Sequence, residues 1–68
     1  MRQVILYQDE DQNWVAECPS LRGCVSGGAT YDGALANIRE AIELWIEDAE
    51  ASGEPVPEDY SPIQVAQI

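Results

Sequence analysis

Two thiols, Cys18 and Cys24, close the ends of the segment "CPSLRGC", with a proline and a glycine between them. Thiolates ligate soft metals and carry redox chemistry, so this segment is the first place to look for a reaction centre. Structural zinc needs a full tetrahedral set of sulfur or nitrogen ligands, and this chain has two cysteines and no histidine. The five-residue gap is also wider than the roughly two to four residues usual between paired zinc cysteines. A redox pair is more typically C-x-x-C at a helix N-terminus, where the dipole lowers the thiol pKa, whereas these thiols flank a turn. A disulfide across that turn is geometrically conceivable, but in a reducing cytosol it rarely persists. The expectation is two small, buried, reduced side chains.

Other reaction chemistries fail on residue type. With no histidine and no lysine, Ser-His-Asp, Cys-His and Ser-Lys arrangements cannot form within one chain. Ser26 lies in "CVSGG", but a nucleophile elbow needs glycine where Cys24 stands. The loop "DEDQN" imitates a calcium loop, with Asp9, Asp11 and Asn13 at alternate positions. An EF-hand then needs glycine where Trp14 stands and a terminal glutamate where Ser20 stands, so an exposed hairpin tip is the better reading. The "GGAT" stretch could offer backbone N–H groups to an anion, yet no basic residue stands beside it, and an ordinary strand-to-helix turn accounts for it. Carboxylates abound, but their spacing singles out no general acid and base. No catalytic residue, cofactor or metal ligand is assigned, and the chain is not expected to be an enzyme.

The charge balance points elsewhere. Thirteen acidic residues face three arginines (Arg2, Arg22, Arg39), giving a net charge of −10. Such a surface is repelled by phosphate backbones, so direct nucleic-acid binding is not expected; it attracts basic surfaces and speeds encounter with them. The 68 residues make a single domain, 1–68, and a domain this short buries only about 60% of its unfolded surface. A partner subunit is a common remedy. No secretory signal is evident, and "VILY" at 4–7 is too short to span a membrane; a soluble, cytoplasmic protein is expected.

The elements that would position these residues follow from pattern. "RQVILYQ" (2–8) and "NWVAEC" (13–18) read as a hairpin split by an acidic loop, and Pro19, Ser20 and Gly23 mark a second turn before a short strand, "CVS", at 24–26. Gly27 and Gly28 are expected to end that strand. Thr30 is a suitable N-cap, Asp32 suits the positive end of the helix dipole, and apolar residues recur at helical spacing from Tyr31 to Ala49. Ser52-Gly53 supplies the stop, and the tail "YSPIQVAQI" (60–68) is expected to form a last strand, Pro62 arguing for an edge or a strand start. The predicted fold is α+β, an antiparallel sheet in β-β-β-α-β order with one long helix on one face. In "VILY" both side-chain sets, Val4/Leu6 and Ile5/Tyr7, are apolar, yet one helix covers one face. The surplus face is expected to pack against a second copy or a partner, making the chain a homo-oligomer, dimer or tetramer.

At about 100° per residue, Glu40, Glu43, Glu47 and Glu50 gather on the helix side opposite the apolar stripe. Leu44 falls beside Glu40, Glu47 and Asp48 as an exposed apolar residue would. Glu47, Asp48 and Glu50 also sit near the helix C-terminus, where the dipole disfavours negative charge, and a broken local rule of this kind often marks function. Glu40, Glu43, Leu44, Glu47, Asp48 and Glu50 are the candidate partner-binding residues, with Asp9 and Asp11 as outside candidates.

The stretch Trp14–Pro57, through "ECPSLRGCVSGGAT", "ALANIREAIELWIE" and "GEPVP", resembles the HicB family of antitoxins. The resemblance implies an incomplete ribonuclease-H-like fold without the nuclease site. It also implies a role: binding and masking a small basic toxin of the HicA type, an mRNA-cutting ribonuclease. Many members of that family continue into a C-terminal DNA-binding segment. This sequence ends at Ile68, after the expected last strand, so no such domain and no direct operator binding are expected. A competing reading is an orphan oligomeric HicB-like module that binds another protein or a small molecule. A carboxylate-and-metal hydrolase is the remaining class. Titration with magnesium, manganese and zinc is expected to show no binding and no nuclease activity, and saturable binding with RNA cleavage would reinstate that class.

Overall fold

The computed structural model describes every residue except Ser61. Three strands, β1 (Ile5–Gln8), β2 (Trp14–Glu17) and β3 (Val25–Gly28), are followed by one helix, α1 (Tyr31–Ala51). The strands form an antiparallel meander in the order β1-β2-β3, with Leu6 opposite Ala16 and Ala16 opposite Ser26. The helix lies on the face that carries this row, so the expected α+β architecture is present. No helix among the described residues is long and apolar enough to cross a membrane.

Each strand differs from its sequence-derived bounds for a local reason. Before β1, the Gln3 N–H donates to Asp59 Oδ2 (2.9 Å) instead of to a ladder. Before β2, the Asn13 N–H donates to Asp9 Oδ1 (3.0 Å), which holds it in the hairpin loop. The third strand moves the other way: Gly27 and Gly28 complete β3 rather than ending it. A Cβ on Gly28 would stand 2.8 Å from the Ala34 nitrogen, and one on Gly27 would stand 2.7 Å from the Trp14 carbonyl oxygen. Both contacts are closer than a side chain tolerates, so the paired glycines let the helix start and the sheet approach each other without a break in pairing.

The helix boundaries follow from capping. Thr30 is extended (φ −129°, ψ 160°), and its Oγ1 accepts the Gly33 N–H at 3.0 Å. At the other end Gly53 (φ +72°) donates its N–H to the Glu50 carbonyl (3.1 Å), while the Glu54 N–H reaches the Ala49 carbonyl (2.9 Å). That pair of bonds is a Schellman motif, and its left-handed position is why glycine stands there. Between the caps, Ala34 and Ile38 join Ala16, Cys18, Leu21 and Cys24 in the buried core. Trp14 meets Tyr31 edge-on, ring centroids 5.3 Å apart. Near the other end of the helix, Trp45 Nε1 donates to the Arg22 carbonyl at 2.9 Å, which ties the 18–24 loop to α1.

The expected last strand is not formed: Tyr60 and residues 62–68 carry no strand, and the remaining position of that segment, Ser61, lies outside the described residues. A strand exists only with a hydrogen-bonded neighbour, and the chain after the helix takes another route. Arg2 donates to the Pro57 carbonyl, and the Gln3 side chain donates to the Tyr60 carbonyl, which holds residues 57–60 across the approach to β1. A partly buried polar knot reinforces this crossing. Arg2 Nη1 donates to Ser20 Oγ (3.0 Å), and Ser20 Oγ donates to Asp59 Oδ1 (3.0 Å). Desolvation raises the Asp59 pKa, but the Gln3 N–H, the Ser20 hydroxyl, the Tyr60 N–H and the Arg2 charge outweigh it and leave the carboxyl below its ordinary value.

Two expectations follow for stability. Gly28→Ala is expected to destabilise the fold by about 1–3 kcal/mol through overpacking against Ala34, read as a lower urea midpoint; an unchanged midpoint would show that helix and sheet separate freely. Because the folded pKa of Asp59 is depressed, its contribution is present above the ordinary carboxylate range and is lost as pH falls through the depressed value. Asp59→Asn is therefore expected to flatten part of the acid limb of the stability–pH curve, and an acid limb identical to that of the parent chain would contradict this.

Candidate functional site

The thiol segment is a structural turn. The Leu21 N–H donates to the Cys18 carbonyl (3.1 Å), the Cys24 N–H to the Leu21 carbonyl (3.0 Å) and the Cys18 N–H to the Cys24 carbonyl (2.9 Å). These are two consecutive turns closed by a cross-strand bond. Pro19 occupies the second position of the first turn, and Gly23 (φ +74°) the left-handed third position of the second. Both thiols are free and buried. Burial, and then the neighbouring Cys18, push the Cys24 thiol above its ordinary value, which suppresses the thiolate. Among the described residues no group of three or more histidine, cysteine, aspartate or glutamate side chains is arranged to hold a metal ion.

The acidic helix face is where charge gathers. Glu40, Glu43, Glu47, Asp48 and Glu50 are all exposed, and Leu44 between them is 59% exposed. Ala34, Ile38 and Ala49 are the buried residues of the opposite stripe, so the helix is fixed in rotation with its carboxylates outward. Its first turn carries Asp32 and its last turn has no basic residue. Glu47, Asp48 and Glu50 thus stand at the negative end of the dipole without a compensating cation in that turn.

The structure does not bring Asp9 and Asp11 to this face. Asp9 Oδ1 accepts the N–H groups of Asp11 (2.9 Å) and Asn13 (3.0 Å), and Gln12 takes a positive φ of 65° within the same loop. Asp9 is thereby committed to shaping the hairpin, while Asp11 is exposed at its tip. That tip adjoins the helix start through Trp14 and Tyr31, whereas Trp45 near the helix end meets Arg22. Fourteen helical residues separate the two contacts, a span of about 21 Å.

One further feature was not singled out from sequence. An open, largely apolar groove of about 320 Å³ runs between residues 1–4 and the middle of α1, floored by Val4, Leu35, Ile38 and Ile42, with Arg39 and Glu43 on its rim. The apolar surplus of "VILY" was the available signal, but it pointed equally to the far side of the sheet. That far side carries Ile5, Tyr7, Val15 and Val25, with Tyr7 and Val25 exposed and Glu17 directly between Ile5 and Val25. Desolvation and the Glu17 carboxylate raise the Tyr7 phenol above its ordinary value.

Comparison with known proteins places these features in a family. The family described as "HicB_like antitoxin of bacterial toxin-antitoxin system" matches residues 3–67. The chain is 46% identical over 56 residues to a UPF0150 protein of Synechocystis, covering 82% of this chain and 71% of that one. It is 43% identical over 56 residues to a UPF0150 protein of Thermoplasma acidophilum, covering 82% and 81% of the two chains. A UPF0150 protein of Helicobacter pylori is 52% identical over 44 residues, 63% of this chain and 61% of that one. No solved structure matches the chain.

The charge placement on α1 is measurable on the isolated protein. Glu47→Lys and Glu50→Lys are each expected to stabilise the fold, by about 0.3–1 kcal/mol at low ionic strength, because each replaces an unfavourable charge at the helix C-terminus with a favourable one. Urea melts at low and high salt check this, and destabilisation by both changes would mean that these carboxylates make structural contacts.

Proposed function

The chain belongs to the HicB-like antitoxin family, and from that premise we propose that it binds and neutralises a small basic mRNA-cutting toxin of the HicA type in the cytoplasm. The observation that carries this reading is the outward face of α1, where Glu40, Glu43, Glu47, Asp48 and Glu50 are all exposed and an exposed Leu44 lies beside Glu40, Glu47 and Asp48. A ribonuclease must present cationic groups to the phosphates of its substrate, and a rigid row of carboxylates competes for those groups. The row steers encounter at long range, and Leu44 supplies apolar contact once the surfaces meet. The proposed role is one of binding. Self-association, as a dimer or tetramer, is part of the same proposal, in keeping with apolar surface that one short chain leaves uncovered.

The stabilising direction of charge reversal at the helix end separates function from folding. Co-purification of the tagged chain from its native host is expected to yield a small basic protein in stoichiometric amount, with ribonuclease activity that the chain suppresses. Glu43→Lys combined with Glu47→Lys is expected to weaken that complex at least tenfold at low salt and by a smaller factor at high salt, where the lost attraction is already screened. Unchanged affinity in the double variant would remove the acidic face from the interface, and the absence of any basic partner would overturn the antitoxin reading.

A further inference from the structure

We propose that the open edge of β1, with the groove between residues 1–4 and α1 beside it, is the seat of the tail, residues 63–68, of a second copy of this chain, which adds a strand to that edge. Three observations converge on it. First, β1 is an edge strand, and among the described residues nothing pairs with its outer side. An open edge is a row of unpaired N–H and C=O groups ready for another extended segment. Second, a groove of about 320 Å³ lies at the start of that edge: Val4, just before β1, and Leu35, Ile38 and Ile42 of α1 floor it, and the inward-facing side chains of a further strand would cover it. Third, the tail carries apolar side chains that the fold leaves largely uncovered, Ile63 alone being half-buried among residues 63–68. In "IQVAQI", Val65 is 89% exposed and Ile68 fully so, although valine, isoleucine and alternation suit a strand.

The dimensions agree. Six extended residues span about 20 Å, enough to run the length of Val4–Gln8. Charge selects this seat over the far face of the sheet. Glu17 occupies the middle of that face between Ile5 and Val25, so burying it against its symmetry mate would oppose two carboxylates. From Tyr60 to Ile68 the tail has no charged side chain, so it approaches a strongly negative second copy with no side-chain repulsion of its own. The exchange is also reciprocal: each copy has one tail and one groove, and a two-fold arrangement satisfies both. The hydrogen bonds of Arg2 and Gln3 to residues 57–60 hold the base of the tail against the body, leaving the segment beyond Pro62 to cross.

The proposal does not rest on the toxin reading, and its test is separate. Sedimentation equilibrium of the full chain is expected to give the mass of two 7.5 kDa subunits, and the Val65→Asp/Ile68→Asp double variant the mass of one. Both side chains are exposed in the single chain, so the helical circular dichroism of the variant is expected to be unchanged, which excludes misfolding as the cause. In a mixture of a Gln8→Cys chain with a Val65→Cys chain, mild oxidation is expected to link the two different chains. A monomer at all concentrations, a dimer that survives the charged tail, or linkage only when both cysteines are on one chain would each overturn the exchange. Toxin affinity in the tail variant reports separately on the acidic face.

Discussion

The helix and the sheet meet at a distance that no side chain on Gly28 would allow, and most of the surface follows from that contact. With a would-be Cβ at 2.8 Å from Ala34, the helix start is held against β3. The small Ala16 at the centre of β2 and Ala34 on the helix, both fully buried, continue the close approach. A helix anchored on this side of a three-stranded sheet leaves the β1 side less covered, and the groove above Val4 and Ile42 opens there. The same anchoring fixes rotation about the helix axis: once Ala34, Ile38 and Ala49 face inward, Glu40, Glu43 and Glu47 must face out.

That geometry sets stability against surface charge. The helix has a Thr30 N-cap, Asp32 in its first turn and a complete Schellman motif at its end, each a stabilising device. Against these, the last turns carry Glu47, Asp48 and Glu50 with no basic residue in the final turn, which costs stability that a neutral or cationic residue would not. A 68-residue domain has little stability to spare. Acids retained where local rules disfavour them are consistent with the proposed binding of a cationic partner.

Much of this was legible in the sequence, and the parts that were not share a cause. Thr30, Ser52 and Gly53 gave the helix ends because capping is local chemistry, and "CPSLRGC" read as a turn because proline and glycine act on their own dihedrals. The outward acidic row was legible because helical periodicity needs no tertiary information. Gly27 and Gly28 continue the strand they are expected to end: local rules treat a glycine pair as a break, whereas Gly28 makes room for the helix start and Gly27 for the Trp14 carbonyl of the neighbouring strand. Asp9 is an outside candidate for partner contact on charge alone, and its use in the loop, where its carboxylate accepts two N–H groups, is a matter of tertiary geometry. The tail has strand composition but takes strand form only if an edge is available to it, and composition is silent on where the chain after the helix is tied. Arg2, Gln3, Ser20 and Asp59 make that tie, Gln3 and Asp59 bonding from positions 56 residues apart.

The central claim is that the outer face of α1 is the surface the toxin meets. Its most direct test is an NMR titration of the isotope-labelled chain with the basic partner, following every backbone amide. The account predicts the largest shifts along residues 40–50 of the helix, led by Glu40, Glu43, Leu44 and Glu47, with the hairpin tip at Asp9 and Asp11 little changed. Shifts concentrated on the hairpin tip or on the far face of the sheet at Tyr7 and Val25, with the helix amides unmoved, would contradict it.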